Sequence, residues 1–291
     1  MKRKPAPVVA AVHDLSCVGR CALTVVLPTL AVMGVQPVPL PTAVLSTHTG
    51  GFTHMATQAL DGFMGDCVAH WKTLNLKIDA VYSGYLATVG QVQRVAELID
   101  YARGTNDALA VVDPVMGDDG QLYSAIPRDM PSAMKTLCDE ADLITPNLTE
   151  AALMLNAPYH EDAMTDEEIY ALLCGFRARH TVITSVTLDD GRPANVYRTQ
   201  GEKGFWVCPY RRVPVHYPGT GDLFASVLTG SLVKGMSLRD VVSLASDYVR
   251  RVMEESSDTE GEPRYGVQLE RTLGWLIDPA PIGDGSTFRA M

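Results

Sequence analysis

The chain has 291 residues, 46% of them apolar and 20% charged, a composition that supports a sizeable folded core and excludes a disordered chain. Its formal net charge of −10 disfavours nucleic acid or an anionic membrane surface as the principal partner. Six cysteines, at positions 17, 21, 67, 138, 174 and 208, make no C-x-x-C pair and no zinc-ligand spacing, so they read as reduced thiols packed as small apolar residues in a cytoplasmic protein.

The N-terminal Met1-Lys2-Arg3-Lys4 is basic, but the apolar run behind it spans only residues 8–12 and ends at His13-Asp14. That is too short for a signal-peptide core. Residues 7–12 read instead as the first buried strand. Residues 21–60 contain no Asp, Glu, Lys or Arg. Pro28, Pro37, Pro39, Pro41 and a polar Ser-Thr-His-Thr-Gly-Gly segment interrupt them, so no membrane span is expected. The stretch reads as a buried wall and a candidate oligomer face. Short Val- and Ile-rich runs at 78–81, 108–112, 142–144 and 181–183 predict further strands buried on both faces. Helical patterns at 91–103, 128–138 and 166–179 alternate with them. A hairpin is expected over 194–208, turning around residues 201–204. Helices at 221–234 and 238–254 follow, then a polar loop or cap at 254–263, and the residues from Pro279 are expected to be loosely held. Strands alternating with helices imply an α/β fold with a mostly parallel sheet covered on both sides, in a single domain over 1–291 with a core of about 7–255.

Ligands of an open α/β sheet sit beyond the carboxyl ends of the strands. The segments that follow the apolar runs include His13-Asp14-Leu15-Ser16, Ser83-Gly84-Tyr85, Asp113 to Asp118, Thr145-Pro146-Asn147 and Thr184-Ser185, all small or polar. The strongest local signal is Pro218-Gly219-Thr220-Gly221-Asp222, a glycine-rich turn opening a helix, whose free N–H groups favour an anion. Asp222 in the first turn is a candidate general base or a helix cap. Asn147 and Glu150 have the spacing of a capping box, a role compatible with a second one in catalysis. The chain has no Walker A loop and no dinucleotide fingerprint.

Gly219-Thr220-Gly221-Asp222 resembles the anion-hole and catalytic motif of the ribokinase-like superfamily, and Asn147-Leu148-Thr149-Glu150 resembles its Asn-x-x-Glu motif. Ser46-Thr47-His48-Thr49-Gly50, Ser83-Gly84-Tyr85 and Asp113-Pro114-Val115-Met116-Gly117-Asp118 resemble the pyridoxal kinase branch. The five pieces stand in the family's order across residues 8–234. The resemblance implies a three-layer α/β/α sandwich that transfers the γ-phosphate of ATP to a hydroxymethyl group of a B6 vitamer, and a homodimer. It implies Asp222 as base and Gly219, Thr220 and Gly221 as the anion hole. It places Asp14, Ser16, His48, Thr49 and Tyr85 at the acceptor. Asp113, Asp118, Tyr123, Asn147, Thr184, Ser185, Val213 and Val215 would bind ATP. Asp118, Thr145 and Glu150 would organise Mg²⁺, and the family leaves room for a monovalent cation. Alternatives are a hydroxymethylpyrimidine kinase of thiamine synthesis, a sugar or nucleoside kinase, and a non-catalytic vitamer-binding protein.

Asp14 departs from the family pattern, falling where a ring-contacting serine is expected. It would pair with a protonated ring nitrogen, or cap the next helix and leave Ser16 to touch the ring.

Overall fold

The computed structural model describes residues 4–160, 162–277, 279 and 285–291. Ten strands form one sheet. In chain order the first elements are β1 (Val8–Ser16), α1 (Leu23–Val32), β2 (Gln36–Leu45), β3 (Thr57–Ala59), α2 (Asp61–Thr73), β4 (Ala80–Ser83) and α3 (Val89–Asn106). Next come β5 (Leu109–Val112), the small hairpin β6 (Gly117–Asp118) and β7 (Gln121–Leu122), α4 (Met130–Asp139), β8 (Leu143–Ile144), α5 (Leu148–Leu155) and α6 (Asp166–Cys174). The chain closes with β9 (His180–Thr187), β10 (Pro193–Thr199), β11 (Gly204–Pro209), α7 (Thr220–Leu232), α8 (Leu238–Ser257), α9 (Leu269–Thr272) and β12 (Thr287–Ala290). The order across the sheet is β12-β11-β10-β9-β8-β5-β4-β1-β2-β3. From β2 to β9 all neighbours are parallel, so their carboxyl ends share one edge.

Successive strand residues point to opposite faces, and here each face has its own core. Ala10, Val12, Val81, Ala110 and Val112 pack with α2 to α6, whereas Val9, Ala11, Tyr82 and Val111 pack with α1, α7 and α8. Each fully buried Val or Leu contributes about 1.5–3 kcal/mol. This two-sided burial is why the strands read as continuous apolar runs.

The uncharged stretch holds two elements that its prolines conceal. Gln36 donates its N–H to Pro7, so alternate residues of β2 face β1, and Pro37, Pro39 and Pro41 face the other way. On that side β3 pairs only with Ala43 to Leu45, so the prolines remove no ladder bond. Pro28 lies inside α1, where a proline costs about 3 kcal/mol. Burial of Leu23, Val25, Val26 and Leu30 offsets that cost.

Two expectations about the C-terminus are corrected. Residues 287–290, expected to be loosely held, pair with β11 from Gly204 to Val207; residues 278 and 280–284 lie outside the described residues. The core also runs past residue 255, because Val267, Leu269 and Leu276 are buried against the α7–α8 face. Among the described residues no helix is long and apolar enough to cross a membrane.

Candidate active site

β1 runs four residues further than the apolar pattern predicts, and this extension carries His13, Asp14 and Ser16. The pairing of β1 with β2 shifts register between His13 and Leu15, a bulge of the kind that re-aims side chains at the rim of a sheet. His13 is wholly buried, edge-on to the Tyr82 ring, and lies over Gly84, where a Cβ would come within 2.2 Å of Nδ1. Glycine at 84 is therefore required by close approach of the imidazole.

Opposite β1 stands the start of α7. Gly219 is left-handed, with φ of 81°, and a Cβ there would meet the Arg20 carbonyl at 2.2 Å, so only glycine fits. Gly221 faces open space. Asp222, in the first turn, is buried. It does not cap its own helix. Its Oδ2 accepts the Ala22 N–H at 2.8 Å and the Cys21 thiol at 3.5 Å, tying the turn to the segment before α1, which has no side-chain cap. Its Oδ1 lies 3.8 Å from His13 Nδ1. This contact is not an ion pair, because burial pushes the imidazole down to about pKa 3 and keeps it neutral. Burial likewise raises the Asp222 carboxyl above its ordinary value, against the lowering effect of the two hydrogen bonds.

Asp14 is buried and accepts the Ser16 hydroxyl at 2.9 Å. It caps no helix, which removes that alternative. Burial and the neighbouring Asp222 push its carboxyl up to about 7. Tyr85 is half-buried, its phenol raised by burial and by Asp14 beside it, and its carbonyl accepts from Thr42 at 2.9 Å. Thr49 is half-buried in the loop after β2. His48 in the same loop spends both ring nitrogens within the protein, on Gly50 N–H and the Arg264 carbonyl. Both of its polar atoms are therefore engaged in holding the loop.

A second carboxylate group lies beyond β5 and β8. Asp113 accepts the Thr145 hydroxyl at 2.9 Å, while its Oδ2, fully buried, has no hydrogen-bond partner among the described residues. Asn147 and Glu150 form the capping box of α5. Glu150 Oε2 accepts the Asn147 N–H at 2.8 Å and Oε1 the Met116 N–H at 3.1 Å, so the box also fastens the 113–118 loop. Asn147 Nδ2 donates to the Gly117 carbonyl at 2.9 Å. Burial raises both Asp113 and Glu150 well above the carboxylate range, with repulsion from Asp222 adding at Asp113 and repulsion from Asp113 adding at Glu150. The Tyr123 phenol, half-buried, is kept neutral by burial and by Glu150, Asp118 and Asp222.

Thr145, Asp118 and Glu150 are not assembled as direct metal ligands. The Thr145 hydroxyl serves Asp113, both Glu150 oxygens serve backbone N–H groups, and among the described residues no cluster of three His, Cys, Asp or Glu stands ready for a metal. The donors present are nonetheless hard oxygens, and the orphaned Asp113 Oδ2 fits a water-bridged divalent cation. Thr184 and Ser185 lie within β9, not after it; Thr184 bridges to Asn147, and Ser185 is exposed with φ of 62°. Val213 and Val215 are half-buried before the glycine turn, Val215 against the α7–α8 core.

Sequence reasoning missed three groups around Asp222. His13 gives no spacing signal, since Gly84 makes room for it from another strand. The Ala22 N–H and the Cys21 thiol are invisible for the same reason: α7 and the residues before α1 meet only in the fold.

A family model described as phosphomethylpyrimidine kinase matches residues 25–265. The pyridoxal kinase of Bos taurus is 30% identical over 218 residues, 68% of this chain and 69% of that protein. The pyridoxine/pyridoxal/pyridoxamine kinase of Bordetella avium is 28% identical over 250 residues, 83% of this chain and 82% of that protein. The crystal structure of pyridoxal kinase from Lactobacillus plantarum matches with a TM-score of 0.83 at 34% identity, over 93% of this chain and 96% of that one. A provisionally assigned phosphomethylpyrimidine kinase from Bacteroides thetaiotaomicron, solved with pyridoxal, gives a TM-score of 0.88 at 37% identity, over 98% of this chain and 100% of that one. With the parallel sheet, the two covering layers and the Gly219–Asp222 turn in place, the chain belongs to the phosphomethylpyrimidine kinase family, with the pyridoxal kinases of the ribokinase-like superfamily, and is a kinase that transfers phosphate to an alcohol group.

Proposed function

We propose that the chain phosphorylates the hydroxymethyl group of a B6 vitamer with ATP, using Asp222 as general base. The observation that carries the reading is the state of Asp222. Its Oδ2 is pinned by Ala22 and Cys21, and its Oδ1 faces a neutral histidine at 3.8 Å. That leaves Oδ1 free to take a proton. An alcohol is a poor nucleophile, and a positioned base is worth ~10²–10⁴ in rate. In the reaction the hydroxymethyl O–H gives its proton to Oδ1 while its oxygen bonds the γ-phosphorus. The bond from that phosphorus to the bridging oxygen breaks, and ADP leaves. The Gly219–Gly221 turn presents free N–H groups of α7 to the charge that develops on the phosphoryl oxygens.

A magnesium ion bound through water by Asp113 and Asp118, in the loop that Glu150 fastens, would supply positive charge for the triphosphate. Tyr123, Asn147, Thr184, Ser185, Val213 and Val215 would line the nucleotide side. At the acceptor, the buried Asp14, as a carboxylate, would make a charge-assisted hydrogen bond to a pyridinium nitrogen, with Ser16 orienting the carboxyl and Thr49 and Tyr85 flanking the ring. The relatives named for pyridoxal, and the Bacteroides structure holding it, support this acceptor.

The test is ATP turnover against pyridoxal, pyridoxine, pyridoxamine and hydroxymethylpyrimidine. The reading expects the highest kcat/KM on one of the three vitamers. A higher kcat/KM on hydroxymethylpyrimidine than on all three overturns it.

A further inference from the structure

The acceptor-side loop over residues 46–52 is held by a segment far along the chain, residues 263–266, and one side chain makes the connection. The Gly50 N–H donates to His48 Nδ1 at 3.1 Å, so Nδ1 is the unprotonated nitrogen. Nε2 then carries the hydrogen and donates it to the Arg264 carbonyl at 2.7 Å. The tautomer is fixed by these two partners. The ring lies against Gly19, where a Cβ would come within 2.7 Å of it, and edge-on to Phe52. The Arg264 guanidinium lies over Phe52 at 5.2 Å. On the other side of the loop, a Cβ at Gly50 would lie 3.9 Å from the Pro218 ring, next to the glycine turn.

The same distal segment reaches the base. The Arg20 N–H donates to the Tyr265 carbonyl at 3.0 Å, and Arg20 Nε pairs with Glu270. The Arg20 carbonyl packs against both Gly266 and Gly219. Two residues on, Ala22 holds Asp222. Residues 19–22, 46–52, 218–222 and 263–266 therefore converge, and only the last lies far from every strand end that carries chemistry.

We propose that His48 is a positioning residue: a latch that ties the acceptor-side loop to residues 263–266 and so sets Thr49 against the acceptor. The proposal takes its acceptor from the vitamer-kinase reading. The latch acts on acceptor binding and leaves the nucleotide side alone, since neither of its partners touches the 113–150 carboxylates.

The experiment compares wild type, His48→Ala and His48→Gln by steady-state kinetics with pyridoxal and ATP, and by amide hydrogen exchange. His48→Ala is expected to raise the pyridoxal KM by about tenfold, the scale of one to two lost hydrogen bonds, with the ATP KM and kcat within about twofold. Exchange is expected to speed up together in 46–52 and 263–266. Glutamine can still donate to the Arg264 carbonyl, so His48→Gln should restore most of the protection in 263–266 and an intermediate KM. It also serves if the alanine variant fails to fold. An unchanged pyridoxal KM, or pyridoxal and ATP KM values rising in step, overturns the latch. So does unchanged exchange in 263–266, a result that stands even if no B6 vitamer proves to be a substrate; the failure of every vitamer in wild type instead overturns the acceptor assignment.

Discussion

Asp222 meets two demands that an exposed carboxylate would not. One oxygen is spent on structure, by the Ala22 N–H, and the other, beside a neutral imidazole, is the one the proposed reaction uses. Asp222→Asn preserves an oxygen for Ala22 and removes the base. It should lower kcat by at least ~10²-fold with the ATP KM little changed. A near-normal kcat with a sharply lower Tm would reduce Asp222 to a tie between α7 and residue 22. The carboxyl must be ionised to accept a proton, and burial raises its pKa, so wild-type kcat/KM should fall on the acid side of that raised value. The role proposed for Asp14 is in acceptor binding. Asp14→Asn should raise the pyridoxal KM by about tenfold, a loss of ~1.4 kcal/mol, with the ATP KM unchanged. A pyridoxal KM that stays flat across pH in both proteins would remove the pairing with the ring nitrogen.

At the scale of elements, α5 shows why a motif can be read correctly and still be incomplete. The Asn147–Glu150 spacing predicts a capping box, and the box is there. The Met116 N–H that Glu150 also accepts comes from 34 residues away, and no local pattern announces it. Glu150→Gln cannot accept both N–H groups, so it should destabilise the fold by about 1–3 kcal/mol. By loosening the 113–118 loop it should also raise the Mg²⁺ concentration for half-maximal rate. A lower Tm with an unchanged Mg²⁺ titration would leave Glu150 as a cap alone. The same division runs through the fold. Strands buried on both faces are legible because their apolar runs are continuous, as in β1, β4 and β5. β2 and α1 are not, because their prolines are harmless only where the sheet leaves an unpaired side or the core repays a missing bond. The Gly219–Asp222 turn is legible as a local sequence, but what Asp222 holds is a matter of tertiary contact.

Across the whole molecule, the site gathers Asp14, Asp113, Glu150 and Asp222 at the carboxyl edge of the sheet of a chain already at −10, and burial is the first cause of every one of their raised pKa values. Such groups work against the fold when they ionise. For Asp14 the folded state holds its proton up to about 7, whereas the unfolded chain releases it near 3.8. Between those values the folded state binds more protons, so stability falls as pH rises; above about 7 the loss is complete. His13, His48 and the half-buried His180, whose pKa values are lowered, act in the opposite sense below 6.5, so wild type alone mixes the two effects. The difference between Asp14→Asn and wild type cancels the histidines. Asparagine can still accept from Ser16, and it carries no charge. The stability of the variant relative to wild type should be lowest near pH 3.8, increase steadily as pH rises, and level off above about 7, read as Tm without ligands. A difference that does not change with pH would mean that the carboxyl ionises as it does in water, and the acceptor pairing would lose its physical basis. The expected pattern makes Asp14 a residue whose charge destabilises the empty protein and is recovered when a cationic ring binds, the usual relation between stability and function at a binding site.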